Sequence, residues 1–407
     1  MKKIVALLLT AAVLMSFYGC RGGREDMTGD DSSVESGARS EEKAALDEVR
    51  KSDLACPDKT VALTEEAAKL WLLAGGKLYA VCDSENEISG LSGNEKKLGK
   101  SGAVNAEEVL KLSPDHVLLD DSLPNAKELK EALSNAGIRC EDTTITSFDD
   151  YFSTIKNFCM MTKNAEAYEK AALNVRGRRT AIMRNAANEM PDLKLSLGKK
   201  KSKESGASGT ADGKESGTER SDNVTFELIR VSADGAAIAS NNDWVCSMLE
   251  DLGLVNLCAE EEPVAVTWKN AEKSRTTASH AAESGTAESS NTESGLSGEE
   301  SAPSEAQNTG TESGANGEQV SSANDREAFA KEIGKNPDFI FVIYCESEKQ
   351  YRKEFEELTD SIRGWNSLKA VKSNHMITLP KESFCTLPND AWDLPMEYLY
   401  QSIFLMG

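Results

Sequence analysis

Two periods of apolar residues alternate along the chain, one near two residues and one near three to four, and their order predicts the fold. Lys59–Leu63 reads as a short strand. Thr64–Ala74 follows as a helix that Gly75 and Gly76 end. Thr64 can cap it, and Glu65 and Glu66 fall in its first turn, where the helix dipole favours negative charge. Lys77–Cys82 is a second strand. Glu107–Leu112 is a helix that passes through Ser113-Pro114-Asp115 into the strand His116–Asp120. Ala126–Ala136 is a helix closed by Gly137, and Ile138–Thr143 is another strand. Strand and helix alternate throughout, so this block predicts a parallel sheet with both faces covered.

The period then stays helical. Phe148, Phe152, Ile155 and Cys159 share one helix face. After a turn near Lys163-Asn164, Tyr168, Ala172, Val175 and Ile182 continue a helix of about 40 Å, at ~1.5 Å per residue. Beyond it, Thr225–Ser232 and Ala236–Ser240 read as strands, and Trp244–Leu252 as a helix ended by Gly253. Pro263–Trp268 is extended. Arg326–Ile333 is a helix leading through Asn336-Pro337-Asp338 into the apolar strand Phe339–Cys345. Met376–Leu379 is a strand, and Trp392–Phe404 is the closing helix.

Stretches of Ser, Gly, Thr, Asp and Glu interrupt these blocks, with Glu-Ser-Gly recurring at Glu35, Glu204, Glu215, Glu283, Glu293 and Glu312. Their composition cannot build a core, so they read as disordered tether, linker and insert. The division is 1–20 signal peptide, 21–57 tether, 58–147 first α/β lobe, 148–190 helical segment with the interlobe helix, and 191–222 linker. The second lobe follows as 223–273 and 325–407, split by an insert at 274–324. Lys2 and Lys3 precede the short apolar run Ile4–Met15, which ends at Gly19-Cys20. This resembles a bacterial lipoprotein cleavage box, which implies that Cys20 is acylated and anchors the mature chain to the extracytoplasmic face of the cell membrane.

Formal net charge is −22, which argues against nucleic acid as a partner. The cysteines beyond Cys20 form no C-x-x-C pair and mostly lie in apolar runs, where they read as small buried hydrophobes. Their disulfide pairing, if any, stays open. The only histidines are His116, His280 and His375, too few and too scattered for a free zinc or manganese site. No hydrolase, P-loop or dinucleotide motif stands in a usable context, so the chain does not read as an enzyme and needs no cofactor of its own.

The two lobes echo each other. A helix, then x-Pro-Asp, then a buried strand occurs at Glu107–Leu119 and again at Ala330–Val342. With Leu78–Asp83, Leu98–Gly102, Met248–Asn256, Trp365–Lys372 and Pro388–Trp392, this order resembles the periplasmic-binding-protein family of ABC importers for iron–siderophore, haem and cobalamin. The resemblance implies two Rossmann-like α/β lobes joined by one long α-helix, the class III architecture. It also implies a monomer that receives a small-molecule metal chelate in an interlobe cleft and delivers it to an ABC permease and its ATPase. The pocket is then expected just after the strands: Thr64, Glu65, Asp83, Ser84, Lys100, Ser101, Asp121 and Ser122 in the first lobe. In the second lobe the expected residues are Asn241, Asn242, Asp243, Trp268, Glu346, Phe384 and Trp392. Related proteins dock through one Glu per lobe. Glu107 holds that place in the first lobe, whereas Ala330 holds it in the second, with Glu327 and Glu332 nearby. A surface interaction protein that keeps the fold without transport is the alternative reading.

Overall fold

The computed structural model describes residues 32–84, 87–204, 223–258, 262–268 and 317–405. The chain divides into a unit of residues 1–45 and a unit of residues 46–407, and both lobes belong to the second. Cys20, the signal segment and most of both low-complexity stretches lie outside the described residues.

The first lobe is β1 (Thr60–Ala62), α2 (Glu65–Leu73), β2 (Leu78–Asp83), β3 (Lys96–Lys100), α3 (Ala106–Lys111), β4 (His116–Leu119), α4 (Ala126–Asn135) and β5 (Arg139–Asp142). It is preceded by α1 (Ser32–Arg50). The strands lie in the order β3-β2-β1-β4-β5, all parallel. Thr64 caps α2 by accepting from Ala67 N at 3.2 Å. Asn105 and Glu108 close a reciprocal capping box on α3.

Two helical runs follow. α5 (Phe148–Thr162) ends at Lys163, whose φ of 55° is left-handed. This is the turn the sequence predicts. α6 (Ala165–Tyr168), a π-helical turn (Glu169–Leu173) and α7 (Asn174–Glu204) then form one unbroken helical path. At ~1.5 Å per residue it is roughly 60 Å long. It runs through Pro191 to Glu204, beyond the Met190 limit read from the sequence.

The second lobe contains β6 (Thr225–Val231), β7 (Gly235–Ile238), α8 (Trp244–Asp251), β8 (Val255–Asn256), β9 (Val264–Thr267) and α9 (Gly317–Ile333). It continues with β10 (Phe339–Tyr344), α10 (Glu348–Ser361), α11 (Lys369–Lys372), β11 (Met376–Leu379), α12 (Lys381–Phe384) and α13 (Asp393–Tyr400). The order is β11-β10-β6-β7-β9, with β8 beside the start of β6. β11, β10 and β6 are parallel, while β7 and β9 are antiparallel. The turn between β6 and β7 is too short for a crossover, so β7 must return alongside β6. A side chain at Gly235 would come within 1.9 Å of the Val266 carbonyl oxygen, so glycine is what lets β9 approach.

The x-Pro-Asp echo has a structural cause. Ser113 and Asn336 both take left-handed φ, 50° and 66°, just before the prolines. The aspartate that follows then pins the start of the neighbouring strand. Asp115 accepts from the backbone N–H groups of Asp58 and Lys59, each at 2.9 Å. Asp338 accepts from Thr225 N at 3.1 Å and Thr225 Oγ1 at 2.9 Å. This fixes the registers Thr60↔His116 and Phe226↔Phe339.

Two readings based on composition change. In the stretch taken as tether, Val49 is fully buried and Glu48 pairs with Lys156 at 2.9 Å. In the stretch taken as insert, α9 begins at Gly317. Average composition hides a helix whose few apolar residues, such as Leu46 and Val49, fall on one face.

Candidate ligand cavity and the expected site residues

Beyond the carboxyl ends of β10 and β11 lies a cavity of about 520 Å³. Tyr344 and Glu346 bound it where β10 ends, and Thr378, Pro380 and Lys381 where β11 ends. Tyr398 of α13 supplies an aromatic wall and meets Phe384 edge-on at 5.8 Å. Glu348 and Glu382 add carboxylates, and Lys381 adds one ammonium group. Glu348 pairs with Arg352, whose guanidinium lies 5.7 Å from the centre of the Tyr344 ring. Burial pushes the Tyr344 hydroxyl above its ordinary pKa, so it stays a neutral hydrogen-bonding group. Acid remains in excess at the rim, which disfavours polyanionic ligands. The lining comes from the second lobe.

Of the expected pocket residues, Glu346 lines this cavity. In the first lobe, Thr64 is the α2 cap, and Ser84 donates to the Glu65 carboxylate, which also pairs with Lys69 at 2.6 Å. Ser101 donates to the Leu63 carbonyl at 2.8 Å. Asp121 pairs with Lys130, and the Ser122 N–H donates to Asp120 at 2.7 Å. Asp83 and Lys100 end adjacent strands, paired with each other in register, and both are exposed.

In the second lobe, Asn241 accepts from Asn256 at 2.9 Å, and the Asn242 N–H donates to Ser240 at 3.3 Å. Asp243 caps α8 and holds Arg230 through both carboxylate oxygens. Trp268 Nε1 donates to the Ser232 carbonyl at 2.8 Å, with its ring against the second-lobe core. Phe384 and Trp392 are buried. Phe384 stacks on Trp244, while Trp392 meets Phe148 and Trp244 edge-on at 5.7 and 5.6 Å. Both therefore build the aromatic core joining α5 to the C-terminal helices, where a ligand has no access to their faces.

Glu66, read from the sequence only as a first-turn carboxylate of α2, reaches the C-terminal segment at Asn389. Burial raises its pKa, opposed by Lys69. Pro380 and Lys381 follow β11, so the rule that loops after strands line pockets would have found them, and Tyr344 is the last residue of β10. Tyr398 carried no signal, because its role depends on how α13 packs.

Glu107 is exposed in the first turn of α3, and Glu327 is exposed on α9. Glu332 is buried, pairs with Lys335 and lies beside Glu227. It is thus withdrawn from any exposed docking face. His116 is fully buried against Trp71, and His375 stacks on Phe339 at 4.7 Å. Among the described residues, no group of three or more His, Cys, Asp or Glu side chains is placed to hold a metal ion.

The two lobes and their helical connection are the class III binding-protein fold. Staphylococcus aureus IsdE complexed with heme superposes with a TM-score of 0.51 at 13% identity, covering 85% of this chain and 98% of that one. An ABC transporter substrate-binding protein from Listeria monocytogenes EGD-e gives 0.46 at 14% identity, covering 84% and 97%. The periplasmic vitamin B12 binding protein BtuF of Vibrio cholerae gives 0.47 at 15% identity, covering 86% and 98%. At 13% identity the likeness to IsdE is one of fold. No family model matches the sequence, and no curated protein matches it.

Proposed function

We propose that this chain is an extracytoplasmic substrate-binding lipoprotein of an ABC importer, anchored through Cys20, which captures a metal chelate and presents it to a permease. The observation that carries the reading is the cavity at the carboxyl ends of β10 and β11, where open α/β sheets bind ligands. The fold shared with the heme complex of IsdE supports the same class. The acid excess at the rim favours a chelate without net negative charge, and a ferric hydroxamate siderophore is the ligand class that fits first. Tyr344, Tyr398 and Thr378 would offer hydroxyl groups to its oxygens, and Glu346 would face a cationic or amine-bearing arm.

A thermal-shift series on the detergent-solubilised full chain tests this, with ferric trihydroxamate, cobalamin, haem and ferric citrate as probes. A ligand at about a hundred times its Kd adds about 2.7 kcal/mol to stability, enough to raise the melting temperature by a few degrees. The expected order places the trihydroxamate first and polyanionic ferric citrate last. A flat response to all four rejects chelate binding, whereas a response led by ferric citrate rejects the charge argument. Mass spectrometry of the same membrane-extracted protein should show a diacylglyceryl group on Cys20; an unmodified N-terminus elsewhere rejects the anchor.

A further inference from the structure

The edge of the cavity holds a pair of thiols that ligand capture does not use. Cys345 directly follows β10, between the lining residues Tyr344 and Glu346. Cys385 directly follows α12, whose Lys381 and Glu382 also line the cavity. The two thiols lie within hydrogen-bonding reach of each other. Backbone bonds fix both positions: Cys345 N donates to Val231 O at 2.8 Å, and Cys385 N to Lys381 O at 2.9 Å.

Arg230 completes the site. Its Nη1 lies 3.9 Å from Cys345 Sγ and donates to the Phe384 carbonyl at 3.1 Å, while Asp243 holds the rest of the guanidinium. A fixed cation therefore faces one sulfur and also ties down the residue before the other. The cysteines are distinguished by this setting. Cys82, Cys159, Cys246 and Cys258 are buried, and burial pushes the Cys82 and Cys159 thiols up to about 12. Cys345 and Cys385 are only partly buried, as Cys140 is, and the adjacent Arg230 sets the pair apart.

We propose that Cys345 and Cys385 form a thiol–disulfide exchange site that takes low-molecular-weight disulfides and closes to an intramolecular disulfide at the cavity edge. The Cys345 thiolate attacks one sulfur of the small disulfide RSSR. The RS–SR bond breaks, a Cys345–SR bond forms, and RS⁻ leaves. Cys385 then gives up its proton, and its sulfur attacks the Cys345 sulfur and expels the second RS⁻. Two protein thiols are oxidised, and RSSR is reduced to two thiols. The hydrogen bond from Cys385, aided by Arg230, lowers the Cys345 pKa. The same bond raises that of Cys385. Arg230, 3.9 Å from the Cys345 sulfur, is the fixed cation that favours its thiolate, so Cys345 is the attacking sulfur and Cys385 the resolving one. The bridge would fasten α12 to the end of β10 and so set the width of the cavity mouth.

The test uses reduced, detergent-solubilised full chain incubated with glutathione disulfide, capped with N-ethylmaleimide and mapped without reduction by mass spectrometry. The expected product is a peptide pair bridged at Cys345 and Cys385. Cys385→Ser should stop at glutathione on Cys345, and Cys345→Ser should give neither the bridge nor glutathione on Cys385. Wild-type protein that takes up glutathione at exposed Cys56 but forms no bridge overturns the proposal. Glutathione on Cys385 in Cys345→Ser overturns the assignment of roles.

Discussion

Glu227 is a fully buried carboxylate in β6, and neither of its oxygens has a hydrogen-bond partner. Glu332 and Lys335 face it from α9 and the turn after α9. Burial, reinforced by the Glu332 charge and opposed by Lys335, pushes its pKa up to about 8. An unfolded chain would release that proton near 4.5. Between these two values the folded state keeps a proton that the unfolded state gives up, so stability falls as pH rises through the window. Below the unfolded value the contribution is fully present, and above the folded value it is lost. Glu227→Gln keeps the shape and removes the titration. It should gain little at pH 5 but be more stable than wild type at pH 8 by roughly a few kcal/mol, at ~1.4 kcal/mol per pKa unit, and so melt higher there. Melting curves at the two pH values check this, and an equal shift at both would show that Glu227 does not titrate in the window. Nothing in the local sequence Phe226-Glu227-Leu228 announces this, because a Glu within a strand reads as solvent-facing until the packing of α9 is known.

At the scale of elements, the x-Pro-Asp junction is where sequence and structure agree in most detail. The left-handed residue stops the helix, proline directs the chain into the strand, and aspartate pins the adjacent strand. Asp338 is half-buried, whereas Asp115 is exposed. Asp338→Ala strands the N–H and hydroxyl of Thr225 and loses a weak 3.8 Å pairing with Lys369. Hydrogen bonds to a charged group contribute about 1.5–3 kcal/mol, so the loss should be of that order and larger than for Asp115→Ala. Urea denaturation of both variants measures it, and equal costs would contradict the burial argument. The hairpin β6–β7 marks the limit of pattern reading at this scale. Both strands were legible, but their antiparallel pairing follows from the short turn between them, and the addition of β9 beyond β7 depends on the missing side chain at Gly235.

For the whole molecule, the docking prediction joins sequence position to exposure. Glu107 is exposed at the start of α3, ahead of Pro114, while its second-lobe counterpart is Ala330 and Glu332 is buried. A rim carboxylate that meets a permease guanidinium should affect association and leave ligand binding intact. Glu107→Ala should keep the thermal shift with ligand and lower cellular uptake several-fold; unchanged uptake would remove Glu107 from the interface. What the sequence by itself determined was most of the strand–helix alternation, though not α1, β3 or α10, together with the two-lobed plan, the break at Lys163 and the paired Pro-Asp junctions. Each of these rests on local periods, caps and backbone preferences that a few neighbouring residues set. Only the tertiary structure decided that Phe384 and Trp392 are core, that Asp243 serves Arg230, and that Cys345 meets Cys385. It also decided that the cavity takes Tyr398 from the closing helix. The physical reason is that each of these depends on which faces of distant elements are pressed together, and burial sorts ligand-facing aromatics from structural ones without changing the residues themselves.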